Sequence, residues 1–374
     1  MDKFSSLKIK VFIMLLIGPT FLYFFISQHL DLENHENHAL LTVNDVKKAA
    51  WYEKTKKIEE IYEENIPYKN EFTKLNYLFD IVLWGNIDSD SVLLGKDNWL
   101  FYKKDNCIED YCGKLEVTQQ DITNTIEAME RFESFCKERE AQIVYLITPN
   151  KETIYGDLYF PDYIKIVGES SRTDTLLNAI WEETDLNTLY PEKELCFYRD
   201  NNYQVYRKYD THWNNIGAYI GTDCLLQALD MESLPLEELS VNPYGFISGD
   251  LANMIALSDK YSDDINYAID DYKNDITAIV LEDRAEANLN YTHWWSDSQN
   301  DQVIMCIGDS FLGVMEQYLA KNYRESYFMH KSNYQAGIID TIRPDVIVIS
   351  STERSFPWLY IHINEILDKE NSVQ

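Results

Sequence analysis

From residue 92 onward, apolar and polar positions fall into blocks that switch between helical spacing and short continuous apolar runs. Ile122, Ile126, Met129, Phe132 and Cys136 recur at three- and four-residue intervals between Thr118 and Arg139, which predicts a helix. That helix feeds directly into an apolar strand, Ile143 to Ile147. Further along, the pattern predicts helices over 171–183, 215–229, 312–322 and 334–342, and strands over 195–198, 303–307, 326–329 and 346–350. Strands alternating with helices predict a parallel α/β sheet covered on both faces. Upstream, Val92-Leu93-Leu94 and Trp99-Leu100-Phe101-Tyr102 flank Gly95-Lys96-Asp97-Asn98, a hairpin signal, and helical patterns occupy 45–64 and 71–84. Residues 235–301 lack clean periodicity, and the stretch Tyr244 to Asp250 within them resembles a lid or cover.

Ligands of such sheets sit beyond the carboxyl ends of the strands. Three polar groups follow predicted strands and can converge there: Asn150 and Lys151, Ser310, and Glu353 with Arg354. Ser310 ends Ile304-Met305-Cys306-Ile307-Gly308-Asp309-Ser310, where an apolar run breaks into a helical pattern. A strand-to-helix turn lifts the hydroxyl clear of the sheet and leaves free helix N–H groups facing whatever it attacks. A base for it stands in Tyr209-Asp210-Thr211-His212-Trp213-Asn214, where Asp210 can orient His212 and His212 can take the serine proton. Bland alternatives stand beside these roles: a helix cap for Asp309-Ser310, a turn for Asn150-Lys151, and a fold-internal salt bridge for Arg354. Thr292-His293-Trp294-Trp295 repeats the base motif but carries Tyr291 where Asp210 would stand, so His293 ranks below His212. Tyr291, Trp294 and Trp295 suit packing of the cover better than stacking on sugar rings.

Asp-Thr-His-Trp-Asn followed by Gly217-Ala218-Tyr219, and then the late Gly308-Asp309-Ser310-Phe311, resembles the alginate O-acetyltransferase family of SGNH-hydrolase-like proteins. Gly95 to Tyr102, Thr148-Pro149-Asn150-Lys151, and Pro344 to Ile349 ending at Glu353-Arg354 agree with it, so the match spans about residues 92 to 354. The resemblance implies a three-layer SGNH-hydrolase-like (flavodoxin-like) sheet with an insertion, and an O-acetyltransferase acting on an exported polysaccharide. It carries Asp210, His212 and Ser310 over as the triad. Asn150, together with the Ser310 N–H, can support the oxyanion, Lys151 and Arg354 can contact substrate, and Trp213 can shield His212 from water. It also implies a multi-spanning membrane-bound O-acyltransferase partner that supplies acetyl groups. A carbohydrate esterase and a non-catalytic glycan-binding or assembly protein are the alternatives.

Before the apolar run Val11 to Ile26 stand Lys3, Lys8 and Lys10, and after it Asp31, Glu33 and Glu36. This predicts an uncleaved signal anchor with the remainder of the chain outside the cytoplasm. The expected organisation is anchor 1–30, juxtamembrane helical segment 31–90, catalytic domain 91–354 and a C-terminal helix and tail 355–374. The 33 basic and 63 acidic residues give a net charge of −30, with +2 on the first thirty residues. Such a field repels nucleic acid and anionic lipid, and slightly favours a neutral or amino-sugar polymer over a polyuronate. Among six cysteines, Cys107 and Cys112 lie in a polar segment suited to a small disulfide loop, while Cys136, Cys196, Cys224 and Cys306 fall in apolar stretches. No cofactor is expected. A metal reading on Asp210, His212 and Asp309 is disfavoured by its mixed ligand set, and a zinc site is not expected without a second close Cys or His pair.

Overall fold

The computed structural model describes residues 46–47, 51, 53–57, 69–282 and 291–372. The apolar run Val11 to Ile26 and most of the helical pattern over 45–64 lie outside them. Among the described residues no helix is long and apolar enough to cross a membrane.

Helix α1 (Lys69–Trp84) leads into the hairpin of β1 (Val92–Leu94) and β2 (Leu100–Tyr102). Then follow α2 (Cys107–Tyr111), α3 (Gln119–Lys137), β3 (Gln142–Thr148), α4 (Lys151–Tyr159), α5 (Arg172–Glu183), β4 (Thr188–Leu189), α6 (Glu192–Asp200) and α7 (Asn215–Ala228). The segment that lacked periodicity holds β5 (Val241–Ile247), α8 (Asp250–Met254), β6 (Asp264–Ile269), β7 (Ala278–Glu282) and β8 (Tyr291–Ser296). The chain closes with β9 (Val303–Gly308), α9 (Leu312–Leu319), β10 (Glu325–His330), α10 (Ile338–Ile342), β11 (Val346–Thr352) and α11 (Leu359–Asn371).

The main sheet has the order β4-β3-β11-β9-β10-β8-β7. Its first five strands are parallel, as the alternation predicted, but β8 pairs antiparallel with β10 and β7 antiparallel with β8. The sheet is therefore mixed, and the far part of the supposed cover belongs to it. His293 accordingly lies within a sheet strand, stacked on the Tyr327 ring at 4.2 Å between centroids.

Side chains on the buried strands alternate between two cores, as the two-residue period of a strand requires. Val144, Leu146, Ile304, Cys306, Phe328, Val346 and Val348 face one layer, with α4, α7 and α9. Ile143, Tyr145, Ile147, Met305, Ile307, Ile347 and Ile349 face the other, with α3, α5 and α11. A smaller core joins α1 and the hairpin to Tyr209 and to α8 through Leu251, Ala252 and Ile255.

Helix starts follow local chemistry. Thr118 and Ser171 cap α3 and α5 in reciprocal capping boxes with Asp121 and Asp174. Asn214 caps α7 by accepting from the Ile216 and Gly217 N–H groups. The expected strand over 195–198 is wrong: these residues lie in α6, which starts after Pro191 with Glu192 and Glu194 in its first turn. Only Leu195 of that apolar run is buried, and Phe197 is 56% exposed, so the run is one face of a surface helix. The two-residue β4 just before it takes the edge position.

The expected Cys107–Cys112 disulfide is also absent; both thiols are buried and unpaired. Helix α2 begins at Cys107 and Cys112 caps its end, donating its N–H to the Ile108 carbonyl. Five positions along a helix turn two side chains about 140° apart, so the thiols point in different directions.

Candidate active site

Three adjacent strands, β3, β11 and β9, end side by side, and the residues that follow them form the floor of the site. After β9, Asp309 accepts from the Phe311 N–H through Oδ1 at 3.2 Å and from the Thr352 N–H through Oδ2 at 2.8 Å. Its carboxylate thus ties the turn that carries Ser310 to the end of β11. Ser310 projects from this turn and is exposed. Its backbone N–H has no hydrogen-bond partner among the described residues, which leaves it a free donor.

The loop before α7 brings the other half. His212 Nε2 lies 2.6 Å from Ser310 Oγ, and His212 Nδ1 lies 2.6 Å from Asp210 Oδ1. Asp210 Oδ1 also accepts the His212 N–H at 2.9 Å, and its Oδ2 accepts the Asp250 N–H at 3.1 Å. Burial pushes the Asp210 carboxyl up, but the bonds from His212 and from these N–H groups outweigh it and hold the group well below the usual carboxylate range. Asp210 is therefore an anion bound to the imidazole, and it fixes the ring's orientation.

Lys151 does not reach toward the cleft. Its side chain is fully enclosed, and Nζ donates to the carbonyls of Asp210 at 2.6 Å and of Arg207 and Lys208 at 3.3 Å each. All three donors are spent on the histidine loop, so the expected substrate contact gives way to a clamp beneath that loop. Trp213 is likewise fully buried, and its Nε1 donates to the Phe311 carbonyl at 3.1 Å. The ring beside His212 is Phe311, at 4.9 Å between centroids. The expected shielding of His212 by Trp213 therefore falls to Phe311, while Trp213 fastens the two halves of the site together.

Asn150 and Arg354 lie together, with Arg354 Nη1 donating to Asn150 Oδ1 at 3.3 Å. This engages the amide oxygen and leaves the NH2 group as the available donor. The Arg354 guanidinium lies 5.7 Å from the Phe311 ring centre, which brings the pair against the turn that carries Ser310. Its only acceptor among the described residues is this amide; no carboxylate lies within salt-bridge distance of it. Behind Asn150, Glu353 accepts the Asn150 N–H at 2.6 Å and the Thr153 hydroxyl at 2.7 and 2.8 Å. Burial raises this carboxyl to about 8.

One carboxylate near the histidine was not anticipated. Asp250, at the start of α8 and inside the supposed cover, bonds both the N–H and the hydroxyl of Thr211 and lies 3.8 Å from His212 Nδ1. Burial, with the Asp210 charge beside it, raises its carboxyl. Asp210, His212 and Asp250 form a potential ligand cluster in place of the Asp210, His212 and Asp309 set. Their oxygens are already engaged by protein donors, and Nε2 is engaged by Ser310, so the set fits a hydrogen-bond network better than a metal shell.

Comparison with known proteins agrees with this frame. Residues 92–322, well over half of the chain, match the model of the SGNH hydrolase-like domain of the acetyltransferase AlgX family. The chain is 25% identical over 221 residues to a Pseudomonas putida protein named "Probable alginate O-acetylase AlgJ", covering 55% of this chain and 52% of that one. It thus spans about half the length of that curated relative. Among solved structures, a DHHW family protein from Eubacterium siraeum superposes with a TM-score of 0.53 at 12% identity, over 75% of this chain and 97% of the other. PatB1 of Bacillus cereus, solved with a sulfonyl adduct, gives 0.51 at 14% identity, over 72% and 96%. Both likenesses concern the fold. With that match over well over half of its length, the chain belongs to the SGNH hydrolase-like acetyltransferase family typified by AlgX.

Proposed function

We propose that this protein is an O-acetyltransferase that works through Ser310, His212 and Asp210 on an exported cell-surface polysaccharide. The observation that carries the reading is the unbroken chain of 2.6 Å contacts from Asp210 through His212 to Ser310. As Ser310 Oγ attacks an acetyl donor, its proton passes to His212 Nε2, and the Asp210 anion stabilises the imidazolium. The tetrahedral oxyanion is held by the Ser310 N–H and by the Asn150 NH2 group. His212 then protonates the leaving group, which departs and leaves acetyl-serine. In the second half, His212 takes the proton of a sugar hydroxyl, the sugar oxygen displaces Ser310, and the serine regains its proton.

The remaining parts of the reading rest on sequence. The run Val11 to Ile26 anchors the chain with its catalytic part outside the cytoplasm, and a multi-spanning membrane-bound O-acyltransferase supplies acetyl groups across the membrane. A second reading, a carbohydrate acetylesterase, is favoured by one observation: Ser310 is exposed, so water can compete for the acyl-serine unless a bound acceptor covers it.

Intact mass spectrometry of the protein incubated with a small activated acetyl ester tests both. A single acetyl adduct that requires Ser310 and moves onto an added oligosaccharide establishes the transferase. An adduct that clears only to acetate gives the esterase. Equal turnover in Ser310→Ala would remove the triad reading.

A further inference from the structure

Asp250 is the charged group nearest the histidine that the proposed chemistry leaves unused. Its Oδ1 accepts the Thr211 N–H at 2.8 Å and its Oδ2 accepts the Thr211 hydroxyl at 2.6 Å. The same hydroxyl oxygen lies 3.3 Å from His212 Nδ1. A threonine hydroxyl has one hydrogen and two lone pairs. At this distance from a carboxylate the hydrogen belongs to Asp250, in a charge-assisted bond, so only lone pairs face Nδ1.

We propose that Asp250, through Thr211, reinforces the histidine tautomer that the Asp210 carboxylate sets. By holding the hydroxyl hydrogen, it prevents that hydroxyl from donating to His212 Nδ1. Nδ1 then remains the protonated nitrogen, bonded to Asp210, and Nε2 keeps the lone pair that takes the Ser310 proton. Asp250 is thus a positioning residue, and the inference rests on the triad reading. The backbone supports it: the Asp250 N–H bonds Asp210 Oδ2 at 3.1 Å, so one turn serves both carboxylates. Gly249 permits the approach, since a Cβ there would stand 2.3 Å from the Tyr209 carbonyl oxygen and 2.5 Å from Asp210 Cβ. The segment taken for a cover is therefore part of the proton-handling machinery.

The test is a double-mutant cycle on the full chain, read as hydrolysis of a chromogenic acetyl ester. In Asp250→Asn the new amide can donate to Thr211 Oγ1, which frees the hydroxyl hydrogen to turn toward Nδ1. The expected result is a fall in kcat of roughly 10- to 100-fold with KM little changed. Thr211→Val alone should cost only a few-fold. The double variant should match Thr211→Val, because no hydroxyl remains to misdirect. Losses that multiply instead would mean that Asp250 merely braces the loop, and would overturn the proposal. Asp250→Ala, alone and with Thr211→Val, repeats the cycle should the asparagine variant fold poorly.

A second readout is the 15N spectrum of histidine-labelled protein, with His212 identified by its loss in His212→Gln. Wild type and Thr211→Val should show a protonated Nδ1, and Asp250→Asn a shift toward protonated Nε2; an unchanged tautomer in Asp250→Asn also overturns the proposal. Ser310→Ala separates the two levels. Turnover retained there sinks the triad itself, whereas turnover abolished there with a multiplicative cycle sinks only the assignment to Asp250.

Discussion

Trp213 donates its indole N–H to the carbonyl of Phe311 at 3.1 Å, one residue along from His212 and Ser310 at both ends. His212 and Ser310 come from segments about a hundred residues apart, and a neutral, fully buried bond fixes their separation. Gly221 makes room for the indole, since a Cβ there would lie 2.8 Å from its ring atoms, and a Cβ at Gly217 would lie 2.8 Å from the Trp213 Cβ.

Trp213→Phe should therefore damage catalysis more than its distance from the reacting atoms suggests. The change removes a buried hydrogen bond and leaves a void, at a cost of about 2–3 kcal/mol of stability. We expect a fold that still melts cooperatively and a kcat lowered roughly 10-fold or more, because small displacements of a base from its nucleophile are expensive. Ester-hydrolysis kinetics beside a thermal melt check both parts. An unchanged kcat would show that the loop is held by other contacts.

Lys151→Met should act on stability and not on substrate binding. Three backbone carbonyls of the histidine loop lose their donor, and a penalty of roughly 2–4 kcal/mol follows if they stay buried and unpaired. Chemical denaturation gives the number. A raised KM for donor or acceptor with undiminished stability would restore Lys151 to the substrate-facing role.

Glu353 should make stability fall with rising pH. Its carboxyl is raised to about 8 by burial, against an ordinary value near 4.3 in the unfolded chain. Between those values the native state holds a proton that the unfolded state has lost. This contribution is fully present below about pH 4.3 and is lost progressively as pH rises to about 8. Relative to wild type, Glu353→Gln should gain stability between pH 5 and pH 8.5, by a few degrees in Tm. Parallel melts across that range decide it, and a difference that does not change with pH would place the carboxyl in its ordinary range.

Cys107 and Cys112 should behave as thiols. Burial drives both up, and Cys107 the further, with the Glu152 carboxylate adding to it. They should therefore react slowly in the folded protein and be fully titratable after unfolding without reductant. Reductant should leave Tm unchanged. A drop of several degrees on reduction would reinstate the bridge.

The chain's own pattern gave the parallel half of the fold directly, because buried parallel strands are continuous apolar runs and their helices carry a 3.6-residue stripe. It also located Asp210, His212 and Ser310, since each stands at a break in such a pattern, where a side chain leaves the core. The antiparallel strands β7 and β8 were not legible. Of the two only β7 is an edge strand, half exposed and paired through backbone groups that every sequence shares, so Ile279, Val280 and Leu281 carry little pattern. The run at Leu195 misled for the related reason that four apolar residues suit a strand and a helix face equally. The groups that surround Asp210, His212 and Ser310 were settled only in three dimensions. That Lys151 points inward to three carbonyls, that Asp250 comes to Thr211 from the far side of the loop, and that Trp213 holds Phe311 are facts of packing between distant segments. Sequence fixes which groups a chain carries and which faces it must bury; which buried polar atoms meet is decided when the layers close, because each must then find a partner among whatever the fold brings within reach.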